Sequence, residues 1–153
     1  MGYKLIVMDM DGTLTNSKKE ISEETRTALI EAQKLGASIV LASGRPTPGL
    51  YREAKILEMD RFKGYLLSYN GAHVCDYPNQ QVIYNKTIDK KYILPIINNA
   101  KALNLGIMVN KGEYVVVDDS HTYQLEYEAH ATNMKTMVVD DLRTFVDLSQ
   151  INF

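Results

Sequence analysis

An apolar run near the start of the chain ends in two acidic residues, and this feature constrains the fold most. A buried strand is predicted over residues 3–9, and Asp-Met-Asp-Gly-Thr (residues 9–13) follows at its end. The alternation of Asp9 and Asp11 places both carboxylates on one side of the strand end. Two close carboxylates repel each other unless a cation lies between them or one takes a proton. The pair therefore predicts a phosphoryl-transfer site.

The residue types at this strand end suggest definite chemical roles. We expect Asp9 to attack a phosphate monoester and become an aspartyl phosphate. Asp11 is expected to protonate the leaving alkoxide and then to deprotonate the hydrolytic water. Both are also the predicted metal ligands, because Mg²⁺ prefers carboxylate oxygens, and Mg²⁺ would bridge Asp9 and a phosphoryl oxygen. Gly12 permits a sharp turn that lets backbone N–H groups face an anion.

The first half of the sequence alternates between strand and helix patterns. Ser22 is a predicted helix N-cap, and Thr47 is predicted to cap a second helix with Pro48 at its first position. The order β-α-β-α-β with short links predicts an α/β fold with a parallel, doubly wound sheet, which binds ligands at the carboxyl ends of its strands. The predicted strands cover residues 3–9, 37–42 and 65–69.

The pattern changes near residue 73. A hairpin is predicted over residues 73–85, followed by a helix over 89–104 with a kink or a late start at Pro95. Short strands near residues 106–110, 114–118 and 136–140, with a helix over 123–131, indicate a separate α+β module. We therefore expect one domain over residues 1–84 and a second over 85–153.

Composition excludes several classes of function. A net charge of −2 over 153 residues predicts neither a nucleic-acid partner nor a membrane surface. The first residues resemble neither a signal peptide nor a membrane span. The single cysteine, Cys75, excludes an internal disulfide and favours the cytoplasm. The short basic pair Lys18 and Lys19 is expected to be solvated.

Three short motifs together carry a resemblance to a known family. They are Asp-Met-Asp-Gly-Thr-Leu (9–14), Ala-Ser-Gly-Arg (42–45) and Asn-Gly-Ala (70–72). At these spacings they resemble the haloacid dehalogenase-like superfamily, and more narrowly the Cof-type sugar-phosphate phosphatases. The resemblance implies a Rossmann-like, three-layer half-core followed by part of an α+β cap. It also implies Mg²⁺-dependent hydrolysis of small phosphorylated metabolites, with the cap selecting the substrate.

The motifs also supply the predicted phosphate contacts. The Ser43 hydroxyl and the Gly44 N–H are expected to hold phosphoryl oxygens. Arg45 is expected either to bind the substrate or to fix its loop, and Asn70 either to anchor the loops or to line the site. The full set of residues predicted to bind phosphate or substrate is Met10, Gly12, Thr13, Ser43, Gly44, Arg45 and Asn70.

One departure from the family pattern affects the expected activity. The family completes its site with a lysine and a Gly-Asp-x-x-Asn-Asp motif after the cap, and this chain has no such motif. We interpret the chain as the N-terminal portion of a phosphatase, cut inside its cap and low in activity. In a capless alternative, Lys86 and the acids near Asp118 and Asp140 complete the site.

Two further readings remain open. The chain could be a non-catalytic remnant that acts by binding or assembly, because the lysine and the second acidic motif are missing. An incomplete parallel sheet also leaves a bare edge, which predicts a homo-oligomer or a swapped dimer. A phosphoacceptor signalling domain is the other reading, but such domains place the acid pair and the phosphorylated Asp on different strands.

Overall fold

The computed structural model describes residues 2–145, which divide into two compact units between Asn85 and Lys86. The predicted α/β class with parallel strands is confirmed. No helix within the described range has both the length and the apolar character needed to span a membrane. The first unit contains β1 (Leu5–Asp9), α1 (Glu23–Lys34), β2 (Ser38–Ala42), a 3-10 turn (Thr47–Leu50), α2 (Tyr51–Ile56), β3 (Tyr65–Ser68), a second 3-10 turn (Tyr69–Gly71), β4 (His73–Asp76) and β5 (Val82–Asn85).

The first unit is built on one five-stranded sheet in the order β1-β2-β3-β4-β5. Strands β1, β2 and β3 are parallel, and the predicted hairpin adds β4 and β5 antiparallel to them. In this register Asp9 lies beside Ala42, which in turn lies beside Leu67. The ends of the three parallel strands are therefore level, so the loops that follow them start at one edge of the sheet.

Both helices of the first unit pack on the same face of this sheet. The N-cap prediction for α1 is confirmed, since the Ser22 side chain accepts a hydrogen bond from the N–H of Thr25. Leu29 of α1 and Ala54 of α2 belong to one buried cluster with Ile39 and Leu41 of β2. Consecutive right-handed crossovers in one direction place their helices on one side, which explains this arrangement.

At β1, the other face and the edge of the sheet are open within residues 2–85. Leu5 and Val7 point away from the helices and are 52% and 57% exposed. Among the described strands, β1 pairs only with β2. The unit therefore supplies two of the three expected layers, the sheet and one helical layer, and β1 presents the bare edge that the sequence predicts.

The second unit combines a hairpin with a parallel crossover. Its sheet has the order β6-β7-β8, with β6 antiparallel and β8 parallel to β7. Helix α3 keeps Pro95 inside it and begins at the N-cap Asp89. The elements are α3 (Lys90–Ala102), β6 (Val109–Lys111), β7 (Tyr114–Val117), α4 (Leu125–Thr132), β8 (Lys135–Val138) and α5 (Leu142–Phe145).

One local prediction in the first unit is wrong. Thr47 does not cap a helix, because the 3-10 turn that it begins has no side-chain cap. Its hydroxyl instead lies 2.7 Å from the buried Ser68 hydroxyl and 3.2 Å from Nδ1 of His73. Thr47 therefore ties the segment after β2 to the end of β3 and the start of β4.

Candidate active site

The chain reverses sharply after β1. Gly12 has φ +83°, a conformation that a residue with a Cβ rarely adopts. Its N–H donates to the Thr15 carbonyl at 3.2 Å, and the N–H of Thr15 donates to the Met10 carbonyl at 2.9 Å. The Met10 side chain is fully buried. Gly12 therefore shapes the turn rather than offering its own N–H, and Met10 anchors the turn in the core.

The loop after β2 is held by the loop after β3. The Asn70 N–H donates to the Ser43 carbonyl at 3.2 Å, and the Tyr69 N–H donates to the Arg45 carbonyl at 3.0 Å. Tyr69 and Asn70 adopt φ values of +51° and +53°. Such left-handed conformations in residues other than glycine cost free energy and concentrate at functional sites. Asn70 thus anchors the loop through its backbone.

The Asn70 side chain also explains the glycine in this loop. A Cβ on Gly44 would lie 3.0 Å from Oδ1 of Asn70, which is closer than most real Cβ contacts. The Ser43 hydroxyl accepts a hydrogen bond from the N–H of Arg45 at 3.1 Å. Ser43 therefore caps the turn, and its hydroxyl proton remains available as a donor.

Several backbone donors at this edge have no partner within residues 2–145. The N–H groups of Asp11, Thr13 and Gly44 make no hydrogen bond there. All three residues are exposed. Unpaired N–H groups in tight loops form concave sites for anions. The carboxyl ends of β1 and β2 thus present donors of the kind that a phosphoryl group accepts from.

The two acids of the motif differ in their surroundings. Asp9 is exposed, and its carboxylate makes no ion pair or hydrogen bond within the described residues. Asp11 instead receives Nη2 of Arg45 at 2.8 Å, Nε of Arg45 at 3.3 Å and Nζ of Lys19 at 2.7 Å. Partial burial alone would raise the pKa of Asp11, but the hydrogen bonds and charges of the two cations outweigh it and lower that pKa. Asp9 is therefore the acid with a free carboxylate.

The contact that Lys19 makes was not predicted. The sequence predicts a solvated basic pair, whereas the Lys19 ammonium contacts Asp11, eight residues earlier in the chain. Lys19 has φ +62° in a turn where its N–H donates to the Asn16 carbonyl at 2.9 Å. Asn16 is a typical turn residue, so it signals the turn, but nothing in the sequence indicates where the side chain points.

Arg45 lies between the site and a buried glutamate. Its side chain is 7% exposed, and it faces Asp11 with one edge and Glu53 of α2 with the other. Its Nη1 lies 3.9 Å from Oε1 of Glu53 and donates to the Gly49 carbonyl at 3.3 Å. Arg52 donates to the same oxygen of Glu53 at 2.7 and 3.0 Å. Of its two predicted roles, Arg45 thus has the contacts needed to fix its loop.

The acids proposed in the capless alternative belong to the second sheet. Asp118 follows β7, and both Asp118 and Asp141 form ion pairs with Lys101 of α3, the latter at 3.1 Å. The N–H of Leu142, at the start of α5, donates to Asp118. The turn between β6 and β7 is the hairpin turn that the sequence predicts. Asp118 and Asp141 thus stabilise the second unit, whereas Asp140 and Lys86 are exposed.

The two acids of the motif, Asp9 and Asp11, are the candidate ligands for a metal ion. Within residues 2–145, no group of three or more histidine, cysteine or acidic side chains is placed to hold a metal ion. Mg²⁺ in phosphoryl-transfer sites is usually held by one or two carboxylates, with water and substrate phosphate as its other ligands. The free Asp9 carboxylate fits that pattern. The Asp11 side chain is held by its cations, which leaves its backbone carbonyl as the second oxygen.

Comparison with known proteins identifies the family of this chain. The haloacid dehalogenase-like hydrolase family matches residues 6–151. Phosphatase YwpJ of Bacillus subtilis is 33% identical over 125 residues, which cover 82% of this chain and 42% of that protein. The 5-amino-6-(5-phospho-D-ribitylamino)uracil phosphatase YcsE of the same organism is 28% identical, covering 97% of this chain and 61% of its own length.

A solved structure extends the likeness to the whole fold. A haloacid dehalogenase-like hydrolase from Bacteroides thetaiotaomicron is 36% identical with a TM-score of 0.93, covering 98% of this chain and 56% of that protein. The chain thus spans roughly half the length of these relatives. It belongs to the haloacid dehalogenase-like hydrolases, and its relatives YwpJ and YcsE are phosphatases.

Proposed function

We propose that this chain carries the nucleophile half of a Mg²⁺-dependent phosphatase for small phosphorylated metabolites such as sugar phosphates. The observation that carries the proposal is the contrast at the end of β1. There a free carboxylate, Asp9, stands beside unpaired backbone donors, and its neighbour Asp11 is held by two cations. A carboxylate nucleophile must be unobstructed, and Asp9 is exposed and has no ion pair or hydrogen bond within residues 2–145.

In the first step, a carboxylate oxygen of Asp9 attacks phosphorus and the bond from phosphorus to the alkoxide oxygen breaks. The N–H groups of Thr13 and Gly44, with the Ser43 hydroxyl, bind the phosphoryl oxygens as charge moves onto them. Asp11 gives its proton to the leaving alkoxide. The incoming phosphate competes with Asp11 for Lys19 and Arg45, and losing these contacts favours the protonated acid.

In the second step, Asp11 returns to its cations and acts as a base. It takes a proton from water, whose oxygen attacks phosphorus and breaks the bond to Asp9, and this releases inorganic phosphate. The lowered pKa of Asp11 in the ligand-free protein suits this half of the reaction. Mg²⁺, held by Asp9 and the Asp11 carbonyl, would supply charge neutralisation at the phosphoryl group.

The same proposal includes weak turnover by this chain alone. The sequence has no Gly-Asp-x-x-Asn-Asp motif to add further acids. Within the described residues, β1 is also an open edge with the exposed apolar residues Leu5 and Val7 beside it. Exposed strand edges recruit other strands. This edge favours association into a homo-oligomer or a swapped dimer, which light scattering across a concentration series would detect.

The test separates the nucleophile from turnover. Beryllofluoride with Mg²⁺ mimics a phosphoryl group on a carboxylate, and a ¹⁹F NMR signal of the bound form is expected for the native chain. Phosphate release from an aryl phosphate and from sugar phosphates is measured in parallel. Asp9→Asn should lose both signals, and Asp140→Asn, a matched exposed aspartate of the second unit, should keep them. Beryllofluoride binding that survives in Asp9→Asn would overturn the proposal.

A further inference from the structure

We infer that Glu53 is a positioning residue, the permanent counter-ion that keeps Arg45 in place while Asp11 exchanges partners. The inference rests on the proposed function, because it takes Asp11 to be the acid that changes partners during the reaction. Glu53 does not contact Asp11. It acts through Arg45, which lies between the two acids.

Burial makes this counter-ion necessary. The Arg45 side chain is 7% exposed and that of Glu53 is 1% exposed, whereas Asp11 is 40% exposed. A buried charge that loses its only partner is strongly destabilising. If Asp11 alone balanced Arg45, loss of the contact between them would leave the buried guanidinium without a charged partner.

The Glu53 carboxylate has an oxygen free to accept a hydrogen bond from a second arginine. Arg52 donates twice to Oε1, at 2.7 and 3.0 Å, and Arg45 faces the same oxygen at 3.9 Å. Oε2 is buried and has no hydrogen-bond partner within residues 2–145. A carboxylate oxygen accepts up to two hydrogen bonds, so Oε1 is filled by Arg52, and Oε2 is the oxygen that could accept Arg45 without the loss of Arg52.

The local sequence supports the same role. Gly49 lies one turn before Glu53, and its carbonyl accepts Nη1 of Arg45 at 3.3 Å. Arg45 thus contacts the 3-10 turn and α2 through Nη1 and reaches Asp11 with its Nε and Nη2. The contacts at Nη1 do not involve Asp11, so they can hold the guanidinium when Asp11 is absent.

The experiment follows the Nη1–H protons of Arg45, which face Gly49 and Glu53, by NMR and needs no turnover. In the native chain, these protons should exchange with solvent roughly tenfold more slowly than the Nη–H protons of the exposed Arg61. In Asp11→Asn, Arg45 should keep its slow exchange because Glu53 still balances it. Adding Glu53→Gln to Asp11→Asn should bring the exchange of Arg45 to the rate of Arg61. Adding Glu20→Gln instead, a matched exposed glutamate nearby, should change nothing.

Two outcomes would overturn the inference: release of Arg45 in Asp11→Asn alone, or its retention in the variant that also carries Glu53→Gln. If that double variant does not fold, Arg52→Gln in the Asp11→Asn background gives Glu53 wholly to Arg45. Exchange should then stay slow, and fast exchange would again overturn the inference. Because beryllofluoride binding tests Asp9 separately, failure of the proposed function would be distinguishable from failure of this role.

Discussion

Both units of this protein place acids at the ends of parallel strands and pair them with cations, but the two sets of acids are arranged differently. In the first unit, Arg45 and Lys19 both contact Asp11, and Asp9 has no ion pair within residues 2–145. In the second unit, Lys101 of α3 contacts both Asp118 and Asp141. The same residue types thus either leave one acid free, as in the candidate site, or pair both acids in a structural contact.

The backbone around each pair reinforces this difference. The second-unit acids accept N–H groups at the start of α5, from Leu142 to Asp118 and from Arg143 to Asp141. Partly buried acids that are paired in this way have fewer lone pairs left for a ligand. In the first unit, by contrast, the N–H groups of Thr13 and Gly44 have no partner within residues 2–145. A phosphoryl group could satisfy them.

The largest expected effect is the loss of activity when Asp9, the proposed nucleophile, is replaced. Asp9→Asn should lower Mg²⁺-dependent phosphate release by roughly a thousandfold or more, because an amide cannot act as the nucleophile. Asp118→Asn should leave the rate within about twofold of the native value, because Asp118 contacts no reacting group in the proposed mechanism. Steady-state assays on folded variants check both. Equal losses in the two variants would mean that the second-unit acids belong to the site after all.

The effects on stability should have the reverse order, with a larger loss on replacing Asp118 than on replacing Asp9. Asp118→Ala removes an acceptor from the Leu142 N–H and a partner from Lys101, and it should lower the free energy of unfolding by about 1–3 kcal/mol. Asp9→Ala removes an exposed, unpaired charge and should change it by less than about 0.5 kcal/mol. Denaturant titrations measure both values. A larger loss for Asp9→Ala would show that the free acid is structural.

Sequence reasoning found the acids of the first unit because the strand, the turn glycine and the two acids are contiguous. Likewise, level strand ends follow from short β-α-β links, so Ser43 and Asn70 were expected at the edge where they lie. The cation partners were not predictable in this way. Lys19 reaches Asp11 across a tight turn, and Glu53 meets Arg45 only because α2 packs on the sheet. Such contacts depend on side-chain direction, which residue spacing does not specify.

A third prediction concerns the loops that hold the first site. Burial lowers the pKa of His73, whose Nδ1 faces the Thr47 hydroxyl and, at 3.4 Å, the Ser68 hydroxyl. The folded state therefore favours the neutral ring. Its contribution to stability is present above about pH 6.5, the ordinary pKa of histidine, and is lost as the pH falls through the lower folded-state value.

Hydrogen exchange can test whether this loss of stability at low pH is confined to the first unit. Between pH 7.5 and 5.5, after correction for intrinsic exchange, amides of β3 such as that of Leu66 should lose protection, and amides of β7 such as that of Val116 should keep it. His73→Asn should remove this difference, because asparagine does not titrate. The other two histidines serve as an internal check, since both His121 and His130 are exposed. Equal losses of protection in β3 and β7 of the native chain would contradict the assignment to His73.

The smallest expected effect tests whether the cations beside Asp11 set the pKa of that acid or stabilise the folded state. Lys19→Met keeps the length of the side chain and removes its charge, so the pKa of Asp11 should rise toward its ordinary value while Arg45 still holds it below. Because Lys19 and Asp11 are both more than a third exposed, the free energy of unfolding at pH 7 should fall by less than about 1 kcal/mol. That loss should disappear as the pH falls below the folded-state pKa of Asp11, since the paired form is then protonated. Carboxyl ¹³C titration of Asp11 measures the first effect, and a salt series measures the second. If the pKa of Asp11 does not change in Lys19→Met, then Arg45 alone lowers it. The state of Asp11 would then depend on Glu53 as well, because Glu53 balances the charge of Arg45.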